Sequence, residues 1–320
     1  PQASFFYEFL PFWANFFNYL GFETRLSPPS SSPILTLGLK RLSAETCAPI
    51  KLAFGHTEIF RHQEVDWVFL PSIVDTHQEN GESVYLCPYS EHLPFMFPTK
   101  LGGRLLSPVV QFNSCWEGFK QSMTAIAAQL GLTTEEMAAA YHYAWQQQLE
   151  FQESLQQKGR QFLRQARESG EDILVIIGRP YTIYDSFLNL NLHLHLQRRG
   201  AWVVPLDFLP AEKLSTPHWP GKPPWRYAQK IIQAALWVAR EEKAYPLILS
   251  NFGCSLDAFI HKHLHHILKE KPALYLEFDE HRGEAGLITR IEAFLDEVRE
   301  TKSLPQTSQP TFIVPGPPEI

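Results

Sequence analysis

The chain has 320 residues, 44% of them hydrophobic and 19% charged, with a formal net charge of −6. That length holds two domains of roughly 100–150 residues, and the acidic balance argues against nucleic acid or an anionic membrane as a main partner. Four widely spread cysteines with no CxxC pair argue against a disulfide scaffold and for reduced, cytoplasmic thiols.

The opening "PQASFFYEFLPFWANFFNYLGF" is apolar, but Glu8, Asn15 and Asn18 interrupt it and no basic stretch precedes it. It therefore reads as neither a secretion leader nor a membrane span. The absence of an initiator Met suggests a piece of a longer polypeptide. Ala3–Phe9 reads as a strand, Pro11–Leu20 as a helix, Phe22–Leu26 as a strand and Ala48–His62 as a helix. Strands at Asp66–Leu70 and Ser107–Phe112 flank a loop-rich stretch containing Cys87. A long helical region, Trp116–Ser169, follows, and Thr133 with Glu136 three residues on predicts a capping box.

The second half is more regular. Continuous apolar runs at Asp172–Gly178, Ala201–Asp207, Tyr245–Ser250 and Ala273–Asp279 predict strands. Helical patterns separate or follow them at Ser186–Arg199, Trp225–Arg240, Asp257–Lys269 and Glu284–Arg299. Strands alternating with helices predict an α/β fold with parallel sheets. The expected organisation is an N-terminal α/β domain (1–115), a helical brace (116–170), a C-terminal α/β domain (171–300) and an irregular Pro-rich tail (301–320). The segments "FFNYLGFETRLS" and "LQRRGAWVVPLD" share a helix–glycine–strand pattern, which hints at two related halves.

Ligands in open α/β sheets bind beyond the carboxyl ends of the strands. There the C-terminal half places Gly178–Tyr181, Asp207–Pro210, Asn251–Cys254 and Asp279–His281, carrying a thiol, an arginine, carboxylates and an imidazole. Cys254 precedes a helix with Asp257 in its first turn, and Cys47 precedes another with Pro49. Such placement stabilises a thiolate. Cys87 is followed by Pro88, whereas Cys115 lacks this setting and reads as a buried apolar residue. From the residues alone three readings stay open: small buried side chains, a Cys–His nucleophile, and three thiolates on an iron–sulfur cluster. In "HKHLHH", His261 and His265 have the i,i+4 spacing of helical metal pairs but no HExxH glutamate, so a solvated helix face competes with a ligand pair. No phosphate-binding glycine loop occurs.

The stretches "YEFLPFWANFFNYLGFETRLS", "AETCAPIKLAFGH", "YLCPYSEHLPF", "IIGRPYTIYDSFLN", "SNFGCSLDAFI" and "LEFDEHRGEAGLITRIEAFL" resemble, in order from Ser4 to Val298, the uncharacterised domain of CoA-substrate-specific enzyme activases. That family is distantly similar to 2-hydroxyacyl-CoA dehydratase subunits. The resemblance implies two Rossmann-like parallel-sheet domains joined by a helical linker, and a 4Fe–4S cluster on Cys47, Cys87 and Cys254. Lys51, Arg179 and His281 would be its neighbours. It further implies an activase-type ATPase, as a fused neighbour or a separate subunit, as electron donor; a homo- or heterodimer is a separate expectation. An acyl-CoA thioester reduced to a ketyl radical would be the substrate if the chemistry is dehydratase-like. The alternatives are a non-catalytic electron relay and a cluster-less domain binding a small ligand. The sequence departs from the family pattern at Ser255-Leu256, where relatives carry Gly-Pro.

Overall fold

A computed structural model describes residues 1–2, 4–42, 45–76, 84–97, 100–112, 115–211, 214 and 223–301. The Pro-rich tail expected at 301–320 lies, from 302 on, outside them. The fold is mixed α/β with parallel sheets, and the chain divides into two units. The first comprises Pro1–Leu155, Pro180–Asn189 and Asn251–Gly253; the second comprises Gln156–Arg179, Leu190–Ser250 and Cys254–Ile320.

In the first unit, α1 spans Phe6–Tyr19, α2 Ser32–Leu39, α3 Ala48–Glu58, β1 Val68–Phe69, β2 Ser72–Thr76 and β3 Val84–Tyr85. Then come α4 Pro88–His92, β4 Leu105–Leu106, β5 Val109–Gln111, α5 Cys115–Leu130 and α6 Thr134–Ser169, whose last turns belong to the second unit. Phe6–Phe9 open helix α1 and do not form the strand expected at Ala3–Phe9, of which Ala3 lies outside the described residues. Phe9, Phe12, Trp13, Phe16 and Phe17 recur at helical spacing and are all buried. Phe12 meets Phe112, Phe119, Tyr141 and Trp145 with ring centroids 5.3–5.9 Å apart. Pro11 sits inside this helix. Beside it the carboxamide of Gln148 accepts from Phe12 N (3.1 Å) and donates to the Glu8 carbonyl (3.0 Å). These are the two groups that an unbroken helix pairs with each other, so a side chain has entered the ladder.

The strand expected at Phe22–Leu26 is also absent: the segment has no strand partner and Leu26 is half exposed. Among the described residues, sheet pairing here is limited to β1–β4, parallel, and to β2 between antiparallel β3 and parallel β5. Helix α2, unforeseen in its Pro/Ser-rich surroundings, crosses α3 backbone to backbone. A Cβ on Gly38 would lie 1.8 Å from the Lys51 carbonyl oxygen, and one on Gly55 1.9 Å from that of Ile34. Glycine is what permits the approach.

The second unit holds β6 Ile173–Ile177, β7 Trp202–Pro205, β8 Ala244–Asn251 and β9 Leu274–Phe278, in the order β7-β6-β8-β9. Its helices are α8 Leu192–Gln197, α9 Arg226–Arg240, α10 Ser255–Leu268 and α11 Glu284–Thr301; α7, Pro180–Ile183, belongs to the first unit. All five residues of β6 are buried, which explains why its sequence runs apolar without alternation. β6 pairs parallel with both β7 and β8. The strand order therefore reverses at β6/β8, the place where doubly wound sheets bind ligands.

Candidate functional site

At that reversal, and within the second unit, Arg179 follows β6 and Cys254 caps α10. Arg179 is 1% exposed, and its Nε and Nη2 donate to Asp257 Oδ1 at 3.0 and 2.8 Å. Its guanidinium carbon also lies 5.9 Å from the Tyr227 ring centroid. Cys254 has extended backbone angles (φ −80°, ψ 98°), as an N-cap requires. Burial pushes its thiol up to about 11, with the Arg179 charge opposing that shift and the Asp257 carboxylate charge adding to it. The helix N-terminus was expected to favour a thiolate; desolvation of the sulfur outweighs it, so the free side chain is a neutral thiol.

Two other cysteines occupy the same kind of position in the first unit. Cys47 (φ −68°, ψ 154°) caps α3 and Cys87 (φ −89°, ψ 123°) caps α4, each with proline directly or one residue behind. Cys115 is the first residue of α5. The neighbours expected around the thiols are placed as follows. Lys51, one turn after Cys47, is 2% exposed, bonds the Cys47 carbonyl through its backbone N–H and pairs with Glu45. Arg179 joins Cys254 through Asp257. His281 is exposed in the turn after β9, its backbone N–H bonded to Asp279 Oδ1 at 2.9 Å. The thiol chemistry and the N–H-rich helix starts suit iron–sulfur ligation. Among the described residues, however, no group of three or more His, Cys, Asp or Glu is set to hold a metal ion.

Sequence reasoning missed two features of the first unit. One is a polar chain buried around α3. Gln2 N–H donates to Ser27 Oγ (2.8 Å), which meets His56 Nδ1 at 2.9 Å. His56 Nε2 lies 2.8 Å from Ser30 Oγ, and Ser30 donates to Asp185 Oδ2 at 2.5 Å. Since Ser30 spends its proton on Asp185, it accepts from Nε2–H, and Ser27 donates to Nδ1. Burial pushes the His56 imidazole down to about 4, in keeping with this neutral tautomer. Tyr7 also bonds Asp185, and burial followed by that carboxylate holds its phenol above the ordinary range. The second feature is a cavity of about 340 Å³, lined chiefly by apolar side chains such as Phe5, Phe17, Phe22, Trp67 and Phe69. None of Cys47, Cys87 and Cys254 lines it. Neither feature has a local sequence signature, because each assembles residues far apart in the chain.

Among the described residues no helix is long and apolar enough to cross a membrane. Compared with known proteins, the chain matches a family model, the CoA enzyme activase uncharacterised domain, over residues 1–209. The match includes Cys47, Cys87 and Arg179 and ends before Cys254. No curated protein and no solved structure matches the chain.

Proposed function

Because the chain belongs to the CoA enzyme activase uncharacterised domain family, we propose that it is a redox partner of an activase-type ATPase. In this reading the thiols of Cys47, Cys87 and Cys254 hold a 4Fe–4S cluster. The observation that carries it is that these three cysteines each occupy a helix N-cap. Backbone N–H groups gathered at such positions favour a sulfur that becomes anionic on binding metal. Once bound, the cluster supplies one-electron transfer at low potential. The protein's own part is to release the thiol protons and to place positive charge nearby: Arg179 beside Cys254, and Lys51 one turn from Cys47. An acyl-CoA thioester is the substrate class that follows if the electron is used on this chain and not passed on.

Anaerobic reconstitution with iron and sulfide tests the reading. The wild type should take up about four irons per chain with thiolate-to-iron absorption in the visible. Cys47→Ser, Cys87→Ser and Cys254→Ser should each lose the cluster, and Cys115→Ser should keep it. Absence of iron uptake, or a full complement in Cys254→Ser, would overturn the assignment. A cluster-less, ligand-binding role is the second reading, favoured by the 340 Å³ apolar cavity and by the lack of an assembled ligand group among the described residues. It predicts no iron uptake, together with saturable binding of an apolar fluorophore that Phe22→Asp abolishes.

A further inference from the structure

The second unit carries a pair of imidazoles that the thiol reading does not use. His261 and His265 are one helical turn apart on α10, on one face and both exposed. Their ring centroids are 4.6 Å apart at 70°. Tyr275 of β9 packs against both, 4.9 Å from His261 and 4.6 Å from His265, the latter stacked within 13°. The Tyr275 hydroxyl is buried with no hydrogen-bond partner, and burial pushes the phenol up to about 12. Tyr275 thus contributes a ring platform, not an anionic ligand. Glu277, two residues on, lies on the same face of β9 and is exposed. Arg290 donates to the Tyr275 carbonyl. The other two histidines of the run are set apart: His263 sits 6.3 Å from Phe259, and His266 is offset by one position around the helix.

We propose that His261 and His265 form a two-imidazole chelate for a borderline divalent transition metal such as Zn²⁺, Ni²⁺ or Cu²⁺, with water completing the coordination. Imidazole suits these ions, and two histidines at i,i+4 on one helix face reach a single ion, as in helical zinc sites. Metal–nitrogen bonds of about 2.0–2.1 Å require the two rings to be near neighbours. They already touch, and exposed side chains retain the χ rotations that turn nitrogen toward the ion. Tyr275 limits those rotations on one side and so lowers the entropy lost on binding. The site is independent of the cysteines, and failure of either assignment leaves the other standing.

Calorimetric titration with NiCl₂ tests it on the full chain and on His261→Ala, His265→Ala, Tyr275→Phe and the double variant His263→Ala/His266→Ala. Nickel held by thiols contributes equally to all and cancels in the comparison. The wild type, Tyr275→Phe and the double variant should share a micromolar, one-to-one phase. In His261→Ala and His265→Ala that phase should weaken about 100-fold, the scale of losing an intramolecular second attachment. Circular dichroism should be unchanged, because both substituted side chains are exposed. Equal binding in His261→Ala, or no such phase in the wild type, would overturn the proposal.

Discussion

The buried His56 and the half-buried Cys254 make the charge states of single residues testable. An ordinary histidine takes up a proton near 6.5, whereas burial holds His56 at about 4. Between these values the unfolded chain binds more protons than the folded one, so stability falls as pH drops from about 6.5 to about 4. The contribution is of order 3 kcal/mol. Urea midpoints at pH 7, 5.5 and 4 should therefore converge for wild type and His56→Gln only if the variant starts out less stable and titrates less. Parallel pH slopes for the two proteins would show that His56 is not the titrating group. Cys254, with its thiol raised to about 11, should react slowly with iodoacetamide at pH 8 in the metal-free protein. Asp257→Asn removes the carboxylate that raises the thiol and frees Arg179 to act on it, so alkylation should accelerate several-fold. An unchanged rate would place the control of reactivity in access, not charge.

Helices α1 and α3 show what the chain asks of its secondary structure. Every residue of α3 is buried, including four polar ones, and each of those has a partner: Lys51 with Glu45, His56 with two serines, Thr57 with the Ala53 carbonyl and Glu58 with Arg61. Gly55→Ala would drive a methyl group into the Ile34 carbonyl. It should cost about 1–3 kcal/mol or more in denaturant midpoint, since backbone cannot step aside as a rotamer can. Gln148→Leu removes the amide that satisfies Phe12 N–H and the Glu8 carbonyl, and should cost about 1–3 kcal/mol. The capping box at α6 forms as its spacing predicts: Thr133 N–H bonds Glu136 at 2.8 Å and Glu136 N–H bonds Thr133 Oγ1 at 3.2 Å. That feature was legible because capping is local. The four strands of the second unit were legible too, as short apolar runs closed by polar residues. Residues 4–9 were misread because consecutive aromatics carry both periods at once; only the burial of Phe9, Phe12 and Phe16 reveals the helical one. Of the site, the helix-start placement of Cys47 and Cys254 could be read from the proline and aspartate that follow them. The pairing of Arg179 with Asp257 could not, because the two residues are 78 positions apart.

For the molecule as a whole, family membership and the three N-capping thiols point in one direction, while the neutral state of Cys254 sets a condition on it. Under the proposed cluster reading, metal must displace the proton that burial holds on Cys254, so cluster assembly should be faster at alkaline pH. Iron incorporation rates at pH 7 and pH 9 measure this; a pH-independent rate would mean another step limits loading. The second unit's sheet carries a different consequence, for biosynthesis. β6 is buried along its whole length and lies between β7 and β8, and β8 is about 70 residues further along the chain. As the ribosome delivers the polypeptide from its N-terminus, β6 waits with one apolar edge bare until β8 emerges. Chains stalled in that interval present a ready template for pairing with one another. The yield of intact protein should thus depend on translation speed across the segment between these strands.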